Sequence, residues 1–233
     1  MFLSRLILNS RSPKARLDLA QPYQMHRTIW NCHPTLRRDP ATGEFLDRLL
    51  FRVDSDNGPP TVLVQSEVEP DWHTLPADYL RTSPPDCKTL DVSFAAGQRL
   101  RFRLRANTTK RVAAKNPHLG ATMVGKRVAL LTEAEQIRWL LRKGEAGGFH
   151  VPGEWVKPTD AKTGEPTELP NFRVNAIPEP RVRSVKGADG VLAAVRFEGI
   201  LVVTDPARFR DSLFAGIGSG KGFGFGLLSV ARA

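Results

Sequence analysis

Within QPYQMHRTIWNCHP, residues 21–34, the chain gathers a tyrosine, two histidines, a tryptophan and a cysteine. Wound as a helix at ~100° per residue and continued to Leu36, this stretch places Met25, Ile29, Cys32 and Leu36 in one narrow apolar stripe. Tyr23, His26, Trp30 and His33 fall to one side of that stripe, at the margin of whatever core it meets. Histidine titrates near neutrality and can take or give a proton there. Tyrosine can orient, donate a hydrogen bond or hold a sugar. Such groups suit cleavage of RNA by its own 2′-hydroxyl. That reaction needs an acceptor for the 2′ proton, a donor for the leaving 5′ oxygen, and positive charge or donors around the phosphorane. A histidine at a core margin is more often a hydrogen-bonded surface residue than a catalyst, so the helix alone leaves both readings open.

Other chemistries compete poorly. No DxD or ExxH cluster marks a two-metal nuclease, and Cys32, His33, His73 and Cys87 lack zinc-like spacing. There is no GxSxG for a hydrolase triad. No metal and no cofactor is expected. The string GIGSGKGFGFG, residues 216–226, has a glycine at every second position. It fails the dinucleotide fingerprint, because Lys221, Phe223 and Phe225 stand where the sixth-position glycine belongs. It fails the P-loop at Ala215 and Gly222. The alternation predicts an extended backbone with Gly216, Gly218, Gly220, Gly222 and Gly224 on one side, leading into a last strand and open to close approach.

Charge adds a partner. The 233 residues carry a net charge of +10, and it is segregated. Between Gln98 and Arg127 stand nine basic residues (Arg99, Arg101, Arg103, Arg105, Lys110, Arg111, Lys115, Lys126, Arg127) and no acidic one. Four of the arginines alternate with Leu100, Phe102 and Leu104, so they share one face of a strand. Arginines in such a row often simply face water, but four beside five further cations point to a polyanion, and arginine suits the phosphates and shape of A-form RNA. Arg181, Arg183 and Lys186 form a second basic group, and Lys221 is a further expected phosphate contact. Only two cysteines are present, outside any CxxC pattern, and no apolar run approaches the ~18 residues of a membrane span. A cytoplasmic protein with no membrane partner is expected.

The elements that must position these groups follow from periodicity. A strand FLSRLILN, a helix over 22–36, strands FLDRLLFRVD and TVLVQSEVE, a weak helix near 75–80 and the strand RLRFRLRAN give the ferredoxin-like order. After a basic connector the order repeats. KRVALL leads to a helix TEAEQIRWLLRKGEAGG with a capping box of Thr132 and Glu135. A hairpin of FRVNAIPEPRVRS and VLAAVRFEGILVV follows, then a short helix capped by Asp205 and the final strand. The expected fold class is α+β, tandem ferredoxin-like (RRM-like) domains with antiparallel sheets. The expected boundaries are 1–112, a linker over 113–124, and 125–233.

Four segments together resemble a known family. LAQPYQMHRTIW (19–30), AGQRLRFRLRANTTKR (96–111), GKRVAL (125–130) and GIGSGKGFGFGLLSV (216–230) are similar, in register and in order, to the CasE-type CRISPR RNA-processing endoribonucleases, the repeat-cleaving subunit of type I-E Cascade. The resemblance implies a tandem ferredoxin-like fold and metal-independent cleavage at the 3′ base of the repeat hairpin in precursor CRISPR RNA. It implies 5′-hydroxyl and 2′,3′-cyclic phosphate products and retention of the mature crRNA alongside other Cascade subunits. It places the catalytic histidine on His26, the assisting tyrosine on Tyr23 and a groove-entering hairpin around residues 181–186. Some relatives carry a lysine where this chain has Asn31, which leaves Arg27 or another cation to supply that charge. The competing expectation is a noncatalytic tandem RRM-like RNA-binding protein. Its RNP1 string is matched only by KGFGF at 221–225, which runs into GLLS.

Overall fold

The computed structural model describes residues 1–35, 37, 41, 47–56, 58–112, 125–159, 168–183 and 191–233. They group into two compact units. The first contains Met1–Ser93 and Arg210–Leu227; the second contains Phe94–Arg183, Val191–Phe209 and Leu228–Ala233. Among the described residues no helix is long and apolar enough to cross a membrane.

The first unit runs β1 (Phe2–Ile7), α1 (Pro13–Ala20), α2 (Pro22–Asn31), β2 (Leu49–Asp54), β3 (Thr61–Ser66), a 3-10 turn (Trp72–Thr74) and β4 (Asp86–Thr89). Its sheet is antiparallel in the order β2-β3-β1-β4. Met25, Ile29 and Cys32 of the α2 stripe are buried with Leu6, Leu8, Phe51, Val62, Val64 and Tyr79. Burying a side chain the size of Met or Ile contributes about 1.5–3 kcal/mol. That fixes the rotation of α2 and with it the direction of His26. The helix stops at Asn31, short of the expected 36, because Pro34 disfavours helical backbone at His33. The preceding α1 was not expected, although Ser12 caps it and Pro13 opens it. The expected helix at 75–80 is instead the 3-10 turn at Trp72–Thr74, followed by a turn in which the Tyr79 amide donates to the Pro76 carbonyl.

The second unit contains β5 (Arg99–Ala106), β6 (Thr109–Arg111), β7 (Arg127–Ala129), α3 (Glu133–Ala146), β8 (Phe149–His150), β9 (Gly153–Val156), β10 (Leu169–Phe172), β11 (Val174–Arg183), β12 (Val191–Val203) and β13 (Leu228–Arg232). Its main sheet has the order β11-β12-β5-β13, with β8 on the end of β12. The expected capping box is present, the Glu135 amide donating to Thr132 Oγ1 at 3.3 Å. Asp205 caps α4 (Pro206–Ala215), accepting from the Arg208 amide at 3.1 Å.

Each main sheet therefore uses its strands in the same order, second-third-first-fourth, with α-helices in both crossovers of the second and a 3-10 turn in place of a helix in the β3–β4 crossover of the first. The fold is tandem ferredoxin-like, but the strands divide differently from the expected 1–112 and 125–233. The arginine strand β5 was expected to close the first sheet; it opens the second, paired with β12 and β13. The first sheet is closed by β4, DCKT, four exposed residues with no hydrophobic period to announce a strand. The KRVALL strand, β7, pairs with β6 in a two-stranded ribbon. The glycine-rich string groups with the first unit. The linker expected over 113–124 lies outside the described residues.

Candidate active site

His26 leaves α2 half-buried, within a ring of aromatic groups. Its imidazole centroid lies 5.6 Å from that of Trp30, 6.1 Å from Phe51 and 6.4 Å from Tyr23. Tyr23 is the outermost, 36% exposed, and its ring stands 5.9 Å from Phe223. Burial holds the His26 imidazole below the ordinary histidine value. The neutral ring is thereby favoured at pH 7, the form that accepts a proton.

The second histidine has a different environment. His33 is buried, its Nδ1 donates to the Ile29 carbonyl at 2.8 Å, and its ring meets Trp72 edge-on at 5.5 Å. Burial pushes its pKa down, partly offset by that hydrogen bond. It belongs to the core, as does Cys32, whose thiol burial pushes up.

The glycine string is not the extended entry expected from its alternation. It forms a closed loop with a 3-10 turn at Lys221–Phe223, and its neck is fastened by the Ile217 amide donating to the Gly226 carbonyl at 2.9 Å. Gly216, Gly218, Gly220, Gly224 and Gly226 all have φ between +74° and +90°, a backbone region that side chains resist. The last carbonyls of α4, which no helical amide can reach, are met from nearby side chains. Gln65 Nε2 donates to Leu213 and Phe214 at 3.1 and 3.3 Å, and Lys221 Nζ donates to Ala215 at 2.6 Å. Lys221 was expected to contact phosphate. It commits one donor to its own chain, and burial, then Arg48, lowers its pKa.

Arg27 and Asn31 lie on another side of α2, where they share a cleft of about 250 Å³ with Lys14, Gln24, Thr28, Thr74, Leu75 and Pro76. A cation, Arg27, thus stands in the same cleft as Asn31.

The expected RNA-binding residues of the second unit sort into paired and exposed groups. On the open face of its main sheet, Arg103 pairs with Glu198 at 2.7 Å and Arg105 with Glu179 at 2.5 Å. Arg196 bridges the two carboxylates at 3.5 Å from each. Arg101 is exposed on the same face, lining a groove of about 680 Å³ with Arg103, Asn175 and Ser229. Lys110 pairs with Glu135 at 2.8 Å. Arg111 faces Arg127 across the β6–β7 ribbon, both exposed, with Lys126 exposed beside them. Two like charges in register cost stability, and an anion relieves that cost. Arg181 and Arg183 project from the end of β11, with Val182 buried between them. Lys186 lies outside the described residues.

Comparison with known proteins decides the family. A family model described as "CRISPR associated protein" matches residues 1–232. The CRISPR-associated endoribonuclease Cse3 of Thermus thermophilus is 41% identical over 99% of this chain and 100% of its own. The CRISPR system Cascade subunit CasE of Escherichia coli K12 is 33% identical over 99% of each chain.

The chain belongs to the CasE-type family of CRISPR-associated endoribonucleases.

A solved structure of Thermus thermophilus Cse3 bound to an RNA representing a pre-cleavage complex matches with a TM-score of 0.75, 40% identity, and coverage of 99% of this chain and 98% of that one. The tandem ferredoxin-like fold is thus common to the chain and its relatives. Within this CasE-type chain, sequence reasoning found α2 and the glycine loop separately but missed that Phe223 and Phe51 flank Tyr23 and His26. It also missed Glu179 and Glu198. The only signal for the first contact was the loop's own FGFG aromatics; none existed for the carboxylates, whose pairing depends on strand register.

Proposed function

We propose that this CasE-type protein is a metal-independent endoribonuclease acting on precursor CRISPR RNA at the 3′ base of the repeat hairpin, and that it keeps the mature crRNA as a subunit of Cascade. The observation that carries the reading is the half-buried imidazole of His26 beside Tyr23 in a member of this family. The neutral ring accepts the proton of the 2′-hydroxyl. The 2′ oxygen bonds to the adjacent phosphorus, the bond from phosphorus to the 5′ oxygen breaks, and that oxygen takes up a proton. The products are a 2′,3′-cyclic phosphate and a 5′-hydroxyl. Tyr23, at the solvent edge, holds or orients the ribose, and Arg27 supplies positive charge near the phosphate in place of the lysine absent at 31. Arg101, Arg111, Lys126, Arg127, Arg181 and Arg183 hold the RNA backbone as exposed cations. The protein acts in the cytoplasm, in keeping with the free thiols of Cys32 and Cys87.

The noncatalytic RRM-like alternative fares less well. Such modules stack bases on aromatic residues of the sheet face. Here the register aligns Arg101 with Ile200, Arg103 with Glu198 and Arg105 with Arg196, and none of these is aromatic. The KGFGF string lies in a 3-10 turn and loop and is not part of a strand. The test is incubation of the protein in EDTA with a hairpin RNA from its host's repeat, beside the same RNA carrying one 2′-deoxy at the cleavage position. Cutting of the first with tight binding but no cutting of the second is expected. Binding of both without cutting would favour the noncatalytic reading.

A further inference from the structure

The loop over His26 contains one glycine that its backbone does not require. Five of the six have positive φ; Gly222, inside the 3-10 turn, is not among them. Crowding does not require it either. A Cβ built at Gly222 would stand 3.8 Å from Cε1, 3.8 Å from Nδ1 and 3.9 Å from Cδ2 of His26, all ordinary van der Waals separations. Nδ1 and Cδ2 lie on opposite sides of the ring, so near-equal distances to both put the absent methyl over the face of the imidazole. An alanine here would fit the backbone and the space, and it would rest on the ring.

The height of the loop above His26 is also fixed. Lys221 Nζ ties the turn to the Ala215 carbonyl, Gly220 and Gly224 bracket it with left-handed backbone, and Phe223 packs against Tyr23. The gap is therefore built into the loop.

We propose that Gly222 is a positioning residue: by omitting a side chain it keeps a gap one methyl deep over the His26 imidazole, in which the ring tilts between the 2′ oxygen that loses a proton and the 5′ oxygen that gains one. The proposal rests on His26 being the proton-transfer group. A ring that takes a proton from one oxygen and returns it to another must aim at both, and a well-packed ring is held in one rotamer. The other glycines make the loop; Gly222 leaves His26 room to move within it.

Gly222→Ala tests this in single-turnover cleavage of the repeat hairpin in EDTA, with wild type and His26→Ala alongside. The affinity of each protein for the 2′-deoxy hairpin and its Tm are measured in parallel. The expected result is a Tm within about 2 °C of wild type, as for a substitution that strains nothing. Affinity should lie within about twofold, and the cleavage rate should fall at least about tenfold, a loss confined to the chemical step. A rate within twofold of wild type would overturn the proposal. So would a loss of affinity as large as the loss of rate, which would make Gly222 an RNA contact. A Tm loss above about 5 °C would also overturn it, by showing that the fold needs the glycine. If instead the wild type does not cut, or His26→Ala cuts equally well, the reading of His26 itself fails, whatever Gly222→Ala does.

Discussion

α2 and β5 carry the two most conspicuous chemical patterns in the chain, and folding treats them in opposite ways. The His26 and Tyr23 face of α2 emerges as its periodicity predicts, because Met25, Ile29 and Cys32 are buried and orient the helix. The arginine row of β5 is divided. Arg99 and Arg101 stay exposed, while Arg103 and Arg105 are drawn into ion pairs with Glu198 and Glu179. A helix carries the determinants of its own orientation within a few residues. A strand's charges are read only together with those of its neighbours, and β12 and β11 lie many residues away in the chain.

The largest effect that would break this comparison is at α2. His26→Ala should lower single-turnover cleavage by about 10²- to 10⁴-fold, the usual contribution of a positioned acid or base, while hairpin affinity stays within a few-fold. Retained cleavage would move proton transfer elsewhere and leave α2 a merely structural helix. Tyr23→Phe keeps the ring against Phe223 and removes the hydroxyl, so a loss of about tenfold in rate with binding unchanged is expected. Equal rates would assign Tyr23 to packing alone.

At β5 the expected contrast is between members of one row. Arg101→Ala should weaken RNA binding several-fold and reduce the slope of log affinity against log salt by about 0.7–0.9, the value of one phosphate contact. Arg105→Ala should leave that slope unchanged and instead cost about 1–2 kcal/mol in urea unfolding, by removing a charged hydrogen bond from Glu179. The opposite assignment would show that the RNA displaces the glutamates.

The smallest effect concerns both histidines near α2. Burial depresses the pKa of His26 and of His33 in the folded protein below the unfolded value near 6.5. Below that value the unfolded chain binds more protons than the folded one. The stability linked to these groups is complete above about pH 6.5 and falls as the pH drops toward the folded values. Urea titrations at pH 7.5 and pH 5.5 should give a lower midpoint at the acidic pH, and an unchanged midpoint would mean that neither ring is kept neutral by burial.

Much of this was legible in the sequence for local reasons. The capping box of Thr132 and Glu135, the Asp205 cap and the β11–β12 hairpin each declare themselves within a few residues. The failures were non-local. Nothing in RLRFRLRA says which sheet it joins, and the exposed β4 has no hydrophobic signature. The alternation of glycine with larger residues imitates a strand, although positive φ at five glycines makes it a closed loop. Lys221 looked free because its partner is a backbone carbonyl at a helix end, which no side-chain pattern reveals.

The pairing of Gly222 with His26 joins positions nearly the length of the chain apart. During synthesis α2 leaves the ribosome well before the loop that covers its histidine. Chains tend to fold from the amino terminus as they emerge, so a nascent chain halted before Gly216 would hold His26 without its cover or its neighbour Phe223. Assembly of the site then waits on that loop, and copies halted short of it would hold His26 without the enclosure that the proposed cleavage uses.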